Sequence, residues 1–250
     1  MKRCLILIGN EGKASNGSFL PGVSKDLEAY ENFFRSDNGG AWGSSEIATR
    51  RIGWTSLGLK NELLLRRMEE GGLDYALIVF SGHGYAERDG EPMFELSEND
   101  VISLSAICSI LPAQKMLMIA DSCQGYLNES LAKASSELRQ FSNNLNTMTR
   151  DRKREIYNRQ IERMGYRSKV FASAVRTGEY AGDTSQGGRY SRALLDAAET
   201  LKLGGNPDTL YNIDLVHAIA ADNVSYETHD TQHPTVTPAS GIEFPPFVVV

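Results

Sequence analysis

Apolar residues fall along this chain in two alternating rhythms. Short unbroken or nearly unbroken runs, Cys4 to Ile8, Tyr75 to Phe80, Met116 to Ala120 and Val170 to Ala174, are bounded by polar or Gly-rich segments. Runs of that length read as strands buried on both faces, as in a parallel sheet. Between them the spacing widens to helical: Leu27, Tyr30, Phe33 and Phe34 mark one face, and Leu63, Leu64, Leu65 and Met68 another that stops at Gly71 and Gly72. Residues 46–52 read as a further strand between these helices. A short helix is expected over 104–111, with Ile107, Ile110 and Leu111 on one side and Pro112 as its stop. Helices follow over 189–203 and 208–222, the second capped by Asn206 with Pro207 in the first helical position.

Alternating β and α units of this kind predict one α/β domain over residues 1–250, a three-layer sandwich whose mainly parallel sheet of about six strands is flanked by helices. Phe247 to Val250 are expected to close that sheet as its last strand. Residues 128–169 break the rhythm. They are polar and basic, with helical spacing only in patches such as Ile156, Gln160 and Arg163, and read as a solvated helical insertion or, alternatively, as an exposed linker rich in Arg and Lys.

Composition narrows the function classes. A net charge of −6 and a pI near 5.3 argue against a general nucleic-acid binder. No segment approaches the roughly 18 to 20 apolar residues of a membrane span. The start, from Met1 to Gly9, has too short an apolar run for a signal peptide and reads as the first strand. Three cysteines without paired spacing, Cys4, Cys108 and Cys123, fit a reducing compartment, so a cytoplasmic location is expected. The four His and three Cys show no metal-ligand spacing, so no zinc site is expected.

Two strand ends carry the chemistry. Tyr75 to Phe80 runs into Ser81-Gly82-His83-Gly84, and Met116 to Ala120 into Asp121-Ser122-Cys123-Gln124-Gly125. In parallel sheets the working crevice lies beyond the carboxyl ends of the strands, and neighbouring strands sit roughly 5 Å apart. His83 and Cys123 would then face each other across that crevice, the layout of a Cys/His nucleophilic enzyme. A thiolate attacks, and an adjacent imidazole makes it available. Cys4 within a strand and Cys108 beside Ile107 read as inert. His217 reads as packed in a helix, and His229 and His233 as residues of a polar loop.

Ser81 to Gly84 after one hydrophobic strand and Asp121 to Gly125 after the next resemble a caspase-type cysteine protease of the metacaspase, or bacterial caspase-like (orthocaspase), branch. The likeness continues in Leu20 to Asp26 after the first strand, in Ala172 to Ala181 followed by Gly187 to Leu195, and in the turn Gln232-His233-Pro234-Thr235. It covers most of the chain outside the insertion. The resemblance implies a cysteine endopeptidase acting on protein or peptide substrates through a Cys123 and His83 dyad. It also implies an oxyanion hole from the backbone N–H groups of Gly84 and Cys123, donors typically worth about 3 kcal/mol each.

The same resemblance implies an acidic pocket from Asp26, Ser81 and Asp121, although Val23 stands where the family often has Cys. Asp183 and Glu179 lie in a Gly-rich loop near the expected pocket rim, and Arg176 in the same loop could instead favour an acidic residue. Paired carboxylates suit a guanidinium or ammonium, so cleavage after Arg or Lys is expected. That preference would make Arg150, Arg152, Lys153 and Arg154 sites of self-cleavage. Many metacaspases need calcium. Here Glu98-Asn99-Asp100 is too thin a signal to nominate a site, and no cofactor is assigned. A separate activator or sensor protein is expected as a partner, with no nucleic acid and no membrane. The alternatives are a caspase-fold protease with another preference for the residue before the cut, such as Asp or Asn, a catalytically silent caspase-fold interaction module, and an unrelated doubly wound domain using Asp121.

Overall fold

The structure, a computed structural model, describes residues 1–48, 52–70, 72–111, 113–126, 149–206, 208–237 and 243–250. Strand β1 (Arg3–Asn10) leads to helix α1 (Val23–Arg35), and helix α2 (Ser56–Glu70) to strand β2 (Leu73–Gly82). Three short antiparallel strands follow, β3 (Gly84–Ala86), β4 (Pro92–Ser97) and β5 (Asp100–Ser103), and then α3 (Leu104–Ile110) and β6 (Ala113–Asp121). The later elements are α4 (Arg150–Arg163), β7 (Lys169–Ser173), β8 (Asp183–Thr184), β9 (Gly187–Gly188) and α5 (Arg189–Gly204). The last are β10 (Leu210–Asn212), α6 (Ile213–Glu227), β11 (Thr235–Thr237) and β12 (Pro246–Val249).

Among the described residues the main sheet has five strands in the order β1, β2, β6, β7, β11, the first four parallel and β11 antiparallel to β7. Alternation along each strand divides the core in two. Leu5, Leu7, Tyr75, Leu77, Val79, Leu117 and Ile119 face one side, against Val23, Leu27, Tyr30 and Phe34 of α1 and buried residues of α4, α5 and α6. Cys4, Ile6, Ile8, Ala76, Ile78, Phe80, Met116 and Met118 face the other, against Leu59 and Leu63 of α2, Ile107 of α3 and Phe94, Leu96 and Ile102 of the small sheet. Each such side chain contributes about 1.5–3 kcal/mol of burial. Both faces are therefore covered, which explains the continuous apolar runs.

Three expectations are corrected. Among the described residues of 46–52, namely 46–48 and 52, there is no strand. A 3-10 turn occupies Ser44–Glu46, and only single bridges from Ile47 to Leu5 and from Ile52 to Gly9 touch β1, because Glu46 is drawn away to Arg3 and Arg154. The helix expected at 208 begins at Ile213, with Asn212 at its cap, because Leu210–Asn212 pairs with β12 first. β12 joins β10 and not the main sheet, so Phe247 to Val249 do not close that sheet. The helical alternative for the basic insertion agrees with its described second half, the helix α4, whose N-terminus is capped by Thr149 accepting from the Arg152 N–H. Its first half, with residues 128–148, lies outside the described residues, as does Pro207.

α4 is tied to the fold by a buried cation cluster. Arg3, with a fully buried side chain, donates to both oxygens of Glu46 at 3.1 Å and to Asn158 at 2.9 Å, and stacks 4.3 Å over Trp42. Arg154 of α4 grips the same carboxylate at 2.7 and 2.8 Å. Although burial opposes ionisation, hydrogen bonds from Arg154 and Arg3 hold the Glu46 carboxyl down at about 2.

Glu46→Gln is therefore expected to destabilise the fold by about 3 kcal/mol in urea titration, since Arg3 keeps a buried charge. Because the Glu46 pKa is depressed in the folded state, its contribution is complete above the ordinary carboxylate range. It is lost as pH falls through about 2. The acid limb of the wild-type stability curve should flatten in Glu46→Gln, and an unchanged limb would refute this assignment.

Candidate active site

β2 and β6 pair in parallel with Ser81 opposite Asp121, so the two motif segments leave the sheet side by side. Gly82, with φ 150°, turns the chain out of β2; a Cβ there would lie 2.7 Å from the Asn10 carbonyl oxygen. His83 and Cys123 emerge at the carboxyl edge, both half-buried.

The His83 ring is oriented by a backbone carbonyl, that of Ser18, 2.6 Å from Nε2. A carbonyl only accepts, so Nε2 carries the proton and Nδ1 of the neutral ring keeps its lone pair. The loop bearing Ser18 is shaped for this contact: the Gly12 N–H donates to Asn10 Oδ1 at 3.1 Å and the Leu20 N–H to the Glu11 carbonyl at 2.7 Å. Gly12 has φ 66°, and a Cβ there would lie 2.3 Å from the Ser18 carbonyl and 2.8 Å from His83 Nε2. No side-chain motif marks this partner, so sequence could supply only the residue type.

Cys123 Sγ lies 3.8 Å from the Ala181 carbonyl, a weak thiol donor contact. Burial pushes the thiol up, and the carboxylates of Asp121, Asp183 and Glu95 push the same way. Beside it, Gly84 stands opposite Phe94, and the Glu95 N–H donates to the His83 carbonyl at 3.0 Å. Gly84 thus occupies a non-hydrogen-bonded ladder position, which leaves its N–H out of the β3 and β4 pairing.

The pocket residues converge on the α1 side. Sheet alternation carries Ser81 and Asp121 to the same face as Val79 and Ile119, towards α1 and α5. Asp26, one turn into α1 and 2% exposed, accepts from Ser81 Oγ at 2.7 Å and from the Gly188 N–H at 2.9 and 3.1 Å. Asp121 accepts from the Ser191 N–H at 2.7 Å, and Asp183 from the Gly22 N–H at 3.2 Å. Gly188 is where α5 begins; a Cβ there would lie 2.2 Å from Asp121 Oδ2. Neither Asp26 nor Asp121 has an ion-pair partner among the described residues. Burial, then the charge of Asp121, drives the Asp26 carboxyl well above its ordinary value, while burial raises Asp121 to about 6, with Asp183 adding to it.

The rim loop is clamped from behind. Gln232, 2% exposed, donates to the Ala174 carbonyl at 3.1 Å and accepts from the Gly182 N–H at 3.0 Å, bridging both ends of the loop. Glu179 turns to His233, with Oε1 2.8 Å from Nδ1, and its other oxygen accepts the His233 and Arg176 N–H groups. His233 is thus part of the loop's anchorage. His217 is packed as expected, its Nδ1 2.8 Å from the Tyr190 hydroxyl. Of the thin acidic signal, Glu98 pairs with Lys13 and Asp100 accepts the Ser56 N–H.

The basic run is not brought to this site as an exposed linker. Arg150, Arg152, Lys153 and Arg154 lie on α4, where Arg150 donates to the Arg35 carbonyl and Asp37, Arg152 pairs with Glu155, and Lys153 is 7% exposed.

The caspase-domain model of the peptidase C14 family matches residues 1–240. No curated protein matches the sequence. Among solved structures, caspase-1 from Spodoptera frugiperda is similar with a TM-score of 0.59 and 11% identity, over 95% of this chain and 86% of that one. A Geobacter sulfurreducens protein is similar with a TM-score of 0.56 and 15% identity, over 96% of this chain and 94% of that one. Those two likenesses show the fold.

The carboxylates around Cys123 generate a test that needs no substrate. The rate of Cys123 alkylation by iodoacetamide should keep rising at pH values where a free thiol has levelled off, and Asp121→Asn should bring its midpoint down. A midpoint at or below the free-thiol value in the wild type would contradict this electrostatic picture.

Proposed function

The chain belongs to the caspase-domain family of C14 peptidases and is a cysteine-type peptidase with protein substrates; from that premise we propose that it is an endopeptidase cutting after Arg or Lys through Cys123 and His83. The observation that carries the specificity is the pair of buried carboxylates, Asp26 and Asp121, held by neutral partners alone. Burying anionic groups without a cation is unfavourable, and a guanidinium or ammonium entering the pocket relieves that. Asp183 on the rim adds to the same field. An acidic side chain before the cut would meet the like charges of Asp121 and Asp183.

In the proposed reaction His83 Nδ1 takes the Cys123 proton, and Sγ attacks the carbonyl carbon of the Arg or Lys residue. The backbone N–H groups of Gly84 and Cys123 receive the oxyanion. His83, with Nε2 held by Ser18, returns the proton to the leaving amine, and a thioester remains on Cys123. Water then attacks the thioester with His83 as base and frees the thiol. The contact between Cys123 and the Ala181 carbonyl belongs to the substrate-free state and gives way when the substrate backbone enters.

Peptides differing only before the cut, with Arg, Lys, Asp, Asn or Leu, test this reading with and without calcium. Turnover is expected for Arg and Lys alone, falling at least about 10³-fold in Cys123→Ala and His83→Ala. Arg turnover that survived neutralising both Asp26 and Asp121 would overturn the pocket assignment. For Arg peptides KM should rise as pH falls through about 6, where Asp121 takes up a proton and loses its charge. A KM flat across that range would oppose a charged Asp121 in the pocket.

A further inference from the structure

The proposed reaction leaves open what meets the departing half of the substrate. β3 and β4 run antiparallel with Gly84 opposite Phe94, and the Glu95 N–H donates to the His83 carbonyl at 3.0 Å. His83 and Glu95 therefore stand directly across from one another. Opposite residues in an antiparallel ladder project to the same face, with Cβ atoms about 5 Å apart. Ala86, Phe94 and Leu96 fill the buried face of the hairpin, so Tyr85, Met93 and Glu95, all half-buried, line the face that the His83 imidazole shares.

Glu95 is also uncommitted. Its carboxylate has no hydrogen bond or ion pair among the described residues, whereas nearby Glu91 accepts the Ser105 N–H and Glu98 pairs with Lys13. It does lie close enough to Cys123 for its charge to be felt at the thiol. A half-buried carboxylate without a partner, beside the reacting pair, is placed to contact substrate.

The fold fixes which half of the substrate that is. Asp26, Ser81 and Asp121 lie on the α1 and α5 side of the sheet, and the β3 to β5 hairpin lies on the α2 and α3 side. Cys123 and His83 stand at the edge between them. A peptide whose residue before the cut enters the carboxylate pocket must carry its departing half towards the hairpin, and the leaving nitrogen must reach His83 to be protonated.

We propose that Glu95 reads the first residue after the cut and favours Lys or Arg there, so that the enzyme cuts within pairs of basic residues. An acidic residue at that position is rejected by like charge, and a neutral one is tolerated without being favoured. This rests on the reading of Cys123 and His83 as the reacting pair, and adds a second charged subsite on the opposite side of the sheet.

The test fixes Arg before the cut and varies the next residue among Lys, Ala and Glu, measuring kcat/KM for wild type, Glu95→Gln and Glu95→Lys, with Cys123→Ala as the blank. Wild type is expected to prefer Lys over Glu by roughly tenfold or more. The ratio should fall towards unity in Glu95→Gln and invert in Glu95→Lys, while every variant keeps its preference for Arg before the cut. That retained preference also reports an intact fold, and the isosteric Glu95→Gln carries the test if Glu95→Lys does not fold. A flat profile in wild type, or an unchanged one in the variants, overturns this inference alone. Absence of turnover for every peptide in wild type overturns the peptidase reading, and this inference with it.

Discussion

The parallel pairing of β2 with β6 is the constraint on which the site depends. It sets Ser81 against Asp121, and from that one register the next residues of each strand emerge as neighbours at the carboxyl edge. A slip of β6 by one residue would reverse every side chain on that strand, moving Met116 and Met118 out of one half of the core and Asp121 away from α1. Register is secured because both faces are buried: Leu77, Val79, Leu117 and Ile119 pack under α1, and Ile78, Phe80, Met116 and Met118 under α2 and the hairpin. The apolar packing that stabilises the sheet is thus also what brings the His83 and Cys123 segments to neighbouring strand ends.

Around that edge the fold concentrates negative charge. Asp26 and Asp121 sit below Cys123 with neutral partners only, Asp183 closes over Gly22, and Glu95 stands on the far side opposite His83. In the substrate-free state burial, and after it the charges of Asp121, Asp183 and Glu95, push the Cys123 thiol up, and Sγ rests against the Ala181 carbonyl. Under the proposed function a cationic substrate would compensate the same charges, which would link recognition to activation of Cys123. Arg3 and Arg154 show the contrasting solution, in which Glu46 is met inside the protein and the result is structural.

How much was legible in sequence follows from the range of the interactions involved. β1, β2, β6 and β7 are doubly covered strands, so their runs are continuous, and the reactive residues follow from where those runs stop. α4 was harder to read because its buried positions are Lys153, Tyr157, Gln160 and Ile161. Gln160 is satisfied by Glu243 and the Phe244 carbonyl, and Arg154 by Glu46, partners remote in the chain. The cap signal at Asn206 lost to the pairing of Leu210–Asn212 with β12, again a long-range contact. The Ser18 carbonyl leaves no trace in residue type, and Glu95 becomes visible only once the hairpin register places it opposite His83.

The central claim is that one thiol, Cys123, is the nucleophile beneath a cation-selective pocket. Treating the protein with peptidyl ketones that alkylate thiols, one bearing Arg and one Asp next to the reactive carbon, and mapping the adducts by mass spectrometry tests it directly. The account predicts a single thioether on Cys123 from the Arg reagent, far slower modification by the Asp reagent, and loss of the discrimination in Asp26→Asn. Faster labelling by the Asp reagent, or an Arg adduct on Cys4 or Cys108 in place of Cys123, would contradict it.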